Sequence, residues 1–505
     1  MINKKTMKTP KVKSIELNIK DFSKGLNLDD AENVCDMNYN VSCYNFDFKS
    51  GALVEGIGFS DASLPNSIEY GCEETVVTKT DDFDYLETWH FKHYSNTQKK
   101  RCDKIMFRLS STLIYCITLF NDCPYFYTIN QLMYKEKPYS KNIKIETLDG
   151  LIFSSEADGV YSWNGETLPL KRENCPNIVE LCLHKNKYFA IIAGEQNYVR
   201  YSPNLQVVEW ETTLKENEGI IELNDERGPI NKLISCFGYL FCVRDYGITK
   251  FTTYENSEQI NISHVYTSAS KIFSGTVCDC GERIIMLTRN GLYKFNGSSC
   301  EKINTKLNDL LCKITSDSAI ATFRAGVYYI AARINFNDGK TIGCEAVEGY
   351  ENNVLIAYNV NDNTYSIVRG IDISFMNTIQ AESLDKVFFC YKTQYSTRLG
   401  EIKDGGIFFE DVSQKYWCSP LSDLGYSNKT KFVKEISLLS KHDCSLTVFT
   451  EKESKTFNVK GKDVLTKIPV NLKGKQVGIK IETNQQKAYI SNMKLKINLL
   501  ENKYV

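Results

Sequence analysis

The stretch Asp158–Gly165, DGVYSWNG, returns as NGLYKFNG at Asn290–Gly297 and, more loosely, as YGITKFTT at Tyr246–Thr253. The shared glycines are Gly159, Gly247 and Gly291, separated by 88 and 44 residues, which is two periods and one. A repeat in the forties made of strand-like units is the pattern of a β-propeller. Each unit is a small sheet that cannot bury its own apolar faces and must stack on its neighbours.

Every copy sits in the same setting: an alternating apolar strand, a tight turn, a second apolar strand, a Gly or Asn turn, then an outer strand carrying the motif. IKIETLDGLIFSSEADGVYSW from Ile143, NKLISCFGYLFCVRDYGITKF from Asn231 and GTVCDCGERIIMLTRNGLYKF from Gly275 each show three strands. Weaker units fill the gaps, from Ile178, from Ile320 with Asn352 across an insertion containing the turn signal NDGK, from Asp385, and first of all from Asp103. Asp103 to Asp411 is 309 residues, which at the repeat length makes about seven blades, with six or eight open. Gly and Asn at hairpin corners accept positive φ, and the 30 Tyr and 26 Phe suit packing between sheets.

At 505 residues, 42% hydrophobic and 24% charged, the chain can bury a large core. No run of 18 apolar residues exists, and the first twenty-four residues lack an apolar signal core. The 18 cysteines are scattered singly, apart from one CxC at Cys278 and Cys280, and read as reduced, buried small hydrophobes. His90 and His93 in WHFKH lack a nearby Cys pair for zinc. The five histidines, His90, His93, His184, His264 and His442, sit in no recognisable nucleophile or carboxylate arrangement. Acidic neighbours such as Asp81 and Asp82 read as solvated loop residues, and Asn359, Asn361 and Asp362 in NVNDNTYS read as a hairpin turn rather than a calcium loop. No catalytic, cofactor-binding or metal-ligating residue is singled out, no cofactor is expected, and the chain is expected not to be an enzyme.

Charge is uneven. Residues 1–24 carry a net +5 and residues 425–505 a net +9, which leaves the central 400 residues at −15. Opposite-charged faces of this kind suit docking between subunits or neighbouring proteins. The division expected is a basic arm at 1–24, a β segment at 25–102 joining or completing the propeller, the propeller at 103–411, and a carboxy-terminal antiparallel β-sandwich at 412–505. The last rests on KEISLLS, CSLTVFT, KTFNVK, TKIPVNL, QVGIKIET and AYISNMKLKINLL, six strands of period two. Helix is scarce: Thr305–Ile314, TKLNDLLCKI, predicts two turns capped by Thr305.

The amino-terminal stretch carries a family likeness. DFSKGLN at Asp21–Asn27, with Gly25, Leu26 and Asn27, precedes CYNFDFKSGALVEGIGF at Cys43–Phe59, with Asn45, Phe46, Gly51, Leu53, Gly58 and Phe59. Together with WCSPLSDLGYSNKTKFVKEISL at Trp417–Leu438, this resembles propeller proteins of tailed-bacteriophage virions, the tail-nozzle and tail-tube-extension proteins, over nearly the whole chain. The resemblance implies a non-enzymatic structural protein of a phage tail or prophage-derived particle. It would form or decorate a ring or tube through which double-stranded DNA passes, with itself and other tail or connector proteins as partners. It would be made in the bacterial host cytoplasm and located in the virion tail, with no membrane and no small-molecule substrate. An acidic lumen would let DNA slide rather than stick. Two other classes stand beside this: a carbohydrate-binding or glycan-cleaving propeller used for host attachment, and a cellular protein-interaction scaffold.

Overall fold

The computed structural model describes residues 13–500 apart from 28–36, 63–84, 130–142, 203–218 and shorter stretches between strands. The chain divides into two compact units, one of residues 1–60, 356–369 and 403–505, the other of residues 61–355 and 370–402. Nearly all regular structure is β, and six of the nine sheets among the described residues have four antiparallel strands following chain order.

In the second unit five four-stranded sheets succeed one another, at 85–129, 143–172, 178–222, 230–267 and 278–302. The antiparallel hairpin Ile320–Arg324 with Val327–Ala332 follows, then the meander Asp372–Ala381, Leu384–Lys392 and Thr397–Asp404. Hairpin turns fix the register. Phe237 and Gly238 have φ of 52° and 74°, and Ala325 and Gly326 have 49° and 81°, the two-residue turn with both φ positive that matches strand twist. Neighbouring sheets meet through their first strands, as Ile143–Thr147 does with Ile178–His184 and the latter with Ile230–Cys236. Further along, Cys278–Asp279 meets Ile320–Arg324, which in turn meets Asp372–Ala381. That last first strand also packs against Tyr85–Ser95, the first strand of the first sheet.

The motif strand is the third of four in its sheet, not the outermost. Gly159–Trp163, Gly247–Thr253 and Gly291–Phe295 are each followed by one more strand, Leu170–Arg172, Ile260–Thr267 and Cys300–Lys302. The repeated glycine opens the third strand because a side chain has no room or no allowed conformation there. A Cβ on Gly247 would come within 2.5 Å of the Tyr266 carbonyl oxygen, and Gly291 has φ of 115°.

Two sheets lie wholly within the first unit. One, five-stranded, runs in the order Ser42–Tyr44, Lys415–Cys418, Val477–Thr483, Cys444–Thr450, Ser454–Val459. The other runs Phe46–Lys49, Ala52–Glu55, Tyr489–Leu500, Thr430–Ser440, Thr466–Gly474, with Lys13–Ile19 also paired to Tyr489–Leu500. Period-two alternation turns one face of each sheet into a shared core of Trp417, Val433, Leu446, Ile481, Leu495 and their neighbours, all fully buried. Each such aliphatic side chain contributes about 1.5–3 kcal/mol.

Three sequence expectations meet the coordinates here. Lys13–Ile19, within the stretch read as a basic arm, is laddered from Lys13 opposite Leu499 to Ile19 opposite Met493, and Ile19 enters the core. The helix is a single turn, Asn308–Leu311, with Leu307 at its N-cap and no side-chain cap; Thr305 lies outside the described residues. The NVNDNTYS stretch is a hairpin turn: Asn359 Oδ1 accepts the Asn361 and Asp362 backbone N–H groups at 3.0 and 3.2 Å, and Asn363 has φ of 54°.

Deleting residues 1–20 therefore removes a seven-residue strand and uncovers a core edge. The expected outcome is a lower thermal midpoint, read from the fluorescence of buried Trp417; a solvated arm would leave it unchanged.

Candidate functional site

The polar chemistry of the second unit concentrates where first strands of successive sheets meet. The Leu233 backbone N–H donates to Glu180 Oε1 at 3.4 Å, and His184 Nδ1 lies 2.7 Å from Ser235 Oγ. Lys232 Nζ donates to the Val277 carbonyl at 2.7 Å, and Cys278 Sγ to the Ala321 carbonyl at 3.2 Å. Thr378 Oγ1 donates to the Phe323 carbonyl at 2.9 Å, which leaves Thr322 as donor in the 2.8 Å contact between the two hydroxyls. These bonds satisfy polar groups that the sheet contacts bury.

His184 ends the strand Ile178–His184 and is 3% exposed. Its Nε2 has no hydrogen-bond partner among the described residues. Burial, with a smaller push from Lys185, lowers its pKa from 6.5 to about 4, so the imidazole is neutral at neutral pH.

The most densely bonded charges form a clamp on the turn that joins the sheets 178–222 and 230–267. Arg244, fully buried at the end of the apolar strand Tyr239–Arg244, donates Nε to the Gly228 carbonyl and Nη2 to the Leu223 carbonyl, both at 2.7 Å. Its Nη1 reaches Asp225 Oδ2 at 2.8 Å, and Arg227 adds a backbone N–H to Asp225 Oδ1 at 2.9 Å and Nη1 to Oδ2 at 3.1 Å. Burial alone would raise the Asp225 pKa, but the Arg227 N–H and the Arg244 guanidinium outweigh it and hold the carboxyl below its usual range. An aspartate so occupied is a fixed anion that holds a turn, not a proton carrier. His264, on the exposed fourth strand, places Nδ1 3.1 Å from Thr249 Oγ1 and Nε2 3.9 Å from Asp225 Oδ2.

The thiols behave alike. None of the thirteen described cysteines forms a disulfide. Burial raises Cys236, Cys300 and Cys344 to about 12 and Cys278 to about 11, so these sulfurs stay protonated.

Of the residues weighed in the sequence, His90 and His93 fall on the strand Tyr85–Ser95, with side chains outside the described residues, as are Asp81 and Asp82 altogether. His442 lies in the turn after Thr430–Ser440, where its carbonyl accepts the Ser440 hydroxyl at 2.7 Å. Among the described residues, His442 is not brought together with His184 or His264. The Arg244–Asp225 clamp was not foreseen; its one signal is an arginine closing the apolar run YLFCVR.

No protein-family profile and no curated protein matches the chain. Among solved structures it is similar to the AfRom2 CNH domain, at 8% identity and a TM-score of 0.30 over 52% of this chain and 94% of that one. Kluyveromyces lactis Hsv2 is similar at 6% identity and a TM-score of 0.29, over 57% of this chain and 98% of that one. Likenesses at this level carry no argument about function.

Two outcomes follow from the geometry. Arg244→Met strands the Leu223 and Gly228 carbonyls and takes one of two arginines from Asp225, and is expected to cost on the order of 3 kcal/mol in urea denaturation. For His184, the folded pKa lies below the unfolded one, so stability is full above 6.5 and is lost as pH falls towards 4. His184→Gln is expected to flatten that loss by up to about 1.4 kcal/mol per pH unit in denaturation curves taken across this window.

Proposed function

We propose that the chain is a non-enzymatic structural protein, a β-propeller of seven blades joined to an antiparallel β-sandwich. The observation that supports the reading is the packing of Asp372–Ala381, in the last sheet of the second unit, against Tyr85–Ser95, in its first. A ring closed in this way leaves no unpaired end of the stack, and Asp225, Arg244 and Glu180 are engaged in holding turns and sheet junctions.

Within that reading the chain belongs to the tail of a phage or prophage-derived particle. It assembles with itself and with other tail or connector proteins into a ring that double-stranded DNA crosses, located in the virion after synthesis in the bacterial host cytoplasm. Support comes from the likeness at Asp21–Asn27, Cys43–Phe59 and Trp417–Leu438 and from the net −15 of the central 400 residues, a charge that repels phosphate.

Electron cryomicroscopy of gradient-purified particles is the direct test. Density for this chain in a ring on the tail axis, each copy showing seven radial sheets, is the expected result. Six or eight sheets would revise the blade count, and particles lacking the chain would overturn the virion role.

A further inference from the structure

In the first unit, a cleft of about 400 Å³ opens where the ends of Cys444–Thr450, Ser454–Val459 and Val477–Thr483 meet on the five-stranded sheet. Register places Glu482 and Asn458 on either side of Ser445 in one cross-strand row. The neighbouring row, Ile481, Leu446 and Phe457, packs into the core, so the Ser445 row faces outward into the cleft. Asn484 and Gln485, just past the end of Val477–Thr483, also line it.

The charges around this cleft are already matched. Asp443 accepts the Gly461 N–H and Lys460 Nζ, each at 2.8 Å, and Glu482 pairs with Lys480 at 2.8 Å. With each carboxylate facing its own lysine, no excess charge is left to hold a metal cation or a phosphate. What remains are amides: the side chains of Asn458, Asn484 and Gln485 make no hydrogen bond to other described residues. An amide offers two donors and an acceptor side by side, the complement of neighbouring hydroxyls that each give and take one hydrogen bond. A volume of a few hundred Å³ is that of a small-ligand site, enough for one or two sugar rings.

We propose that this cleft binds a neutral saccharide, with Asn458, Asn484 and the Ser445 hydroxyl as its hydroxyl-recognising groups. The assignment stands independently of the virion role, since it rests on the carboxy-terminal sheet alone. Carbohydrate binding considered from the sequence concerned the propeller; the polar groups converge elsewhere.

The test is saturation-transfer NMR and titration calorimetry on the full chain. The probes are glucose, galactose, mannose, N-acetylglucosamine and their disaccharides, with sialyllactose and inorganic phosphate as charged comparators. At least one neutral sugar is expected to bind saturably. Asn458→Ala with Asn484→Ala is expected to weaken it about tenfold, the loss of two hydrogen bonds. Both asparagines are exposed, so the thermal midpoint should not move, and Lys473→Ala on the other sheet should leave binding intact. The proposal fails if no neutral sugar saturates, if only the charged probes bind, or if the double variant binds as the parent does.

Discussion

Much of the second unit depends on one constraint: in four of its sheets the second strand is buried on both faces. Lys187–Ile192, Tyr239–Arg244 and Val327–Ala332 are buried from their second residue to their last, and Ile284–Thr288 throughout. A sheet with such a strand must be covered on both sides, so each needs two neighbours. The cores are built accordingly between sheets rather than within them. Phe189 and Val199 of one sheet share a cluster with Leu233 and Phe251 of the next, whose other face gives Phe241 and Ile248 to a cluster with Met286 and Phe295. Phe241 and Phe295 meet edge to face at 5.2 Å.

Polar groups follow from the same constraint. Stacking sheets on both sides traps backbone atoms at the junctions, and each trapped atom needs a partner. The Arg244 clamp answers this for the turn after Gly219–Glu222, gathering the Leu223 and Gly228 carbonyls and the Asp225 carboxylate onto one guanidinium. Replacing that group by an apolar one would keep the volume but leave two carbonyls dry and Asp225 with Arg227 alone. The fork geometry of arginine suits such a junction, since it reaches several carbonyls from one anchored side chain.

What could be read in the sequence was what the stacking makes apolar or glycine-dependent. Second strands declare themselves as runs such as IIMLT, and third strands by the glycine that opens them. Fourth strands were missed because they bury little: Leu170–Arg172, Ile260–Thr267 and Cys300–Lys302 are mostly exposed. Lys13–Ile19 was hidden differently. Its Ile15, Leu17 and Ile19 alternate as a strand should, but its partner Tyr489–Leu500 lies at the other end of the chain, and a pairing so distant leaves no local mark. The carboxy-terminal strands were legible one by one, because strict alternation reports a sheet with one wet face. The polar cleft there was not, since Ser445, Glu482 and Asn458 become neighbours only through register.

Charge counts, too, change meaning once positions are known. The net +9 of residues 425–505 suggests a basic surface, yet Lys431 is fully buried and its Nζ donates to the Tyr426 and Lys475 carbonyls at 2.5 and 2.6 Å. Lys415, just before that stretch, is buried likewise on the Gln485 carbonyl at 2.8 Å, and burial lowers its pKa to about 8. Lys496 pairs with Glu435 at 3.3 Å and Lys480 with Glu482. In the acidic centre Asp225 faces two arginines and the buried Glu401 a lysine, Lys386, at 2.5 Å. Such pairs leave the net charge of each region unchanged and fix which side chains do not carry its excess.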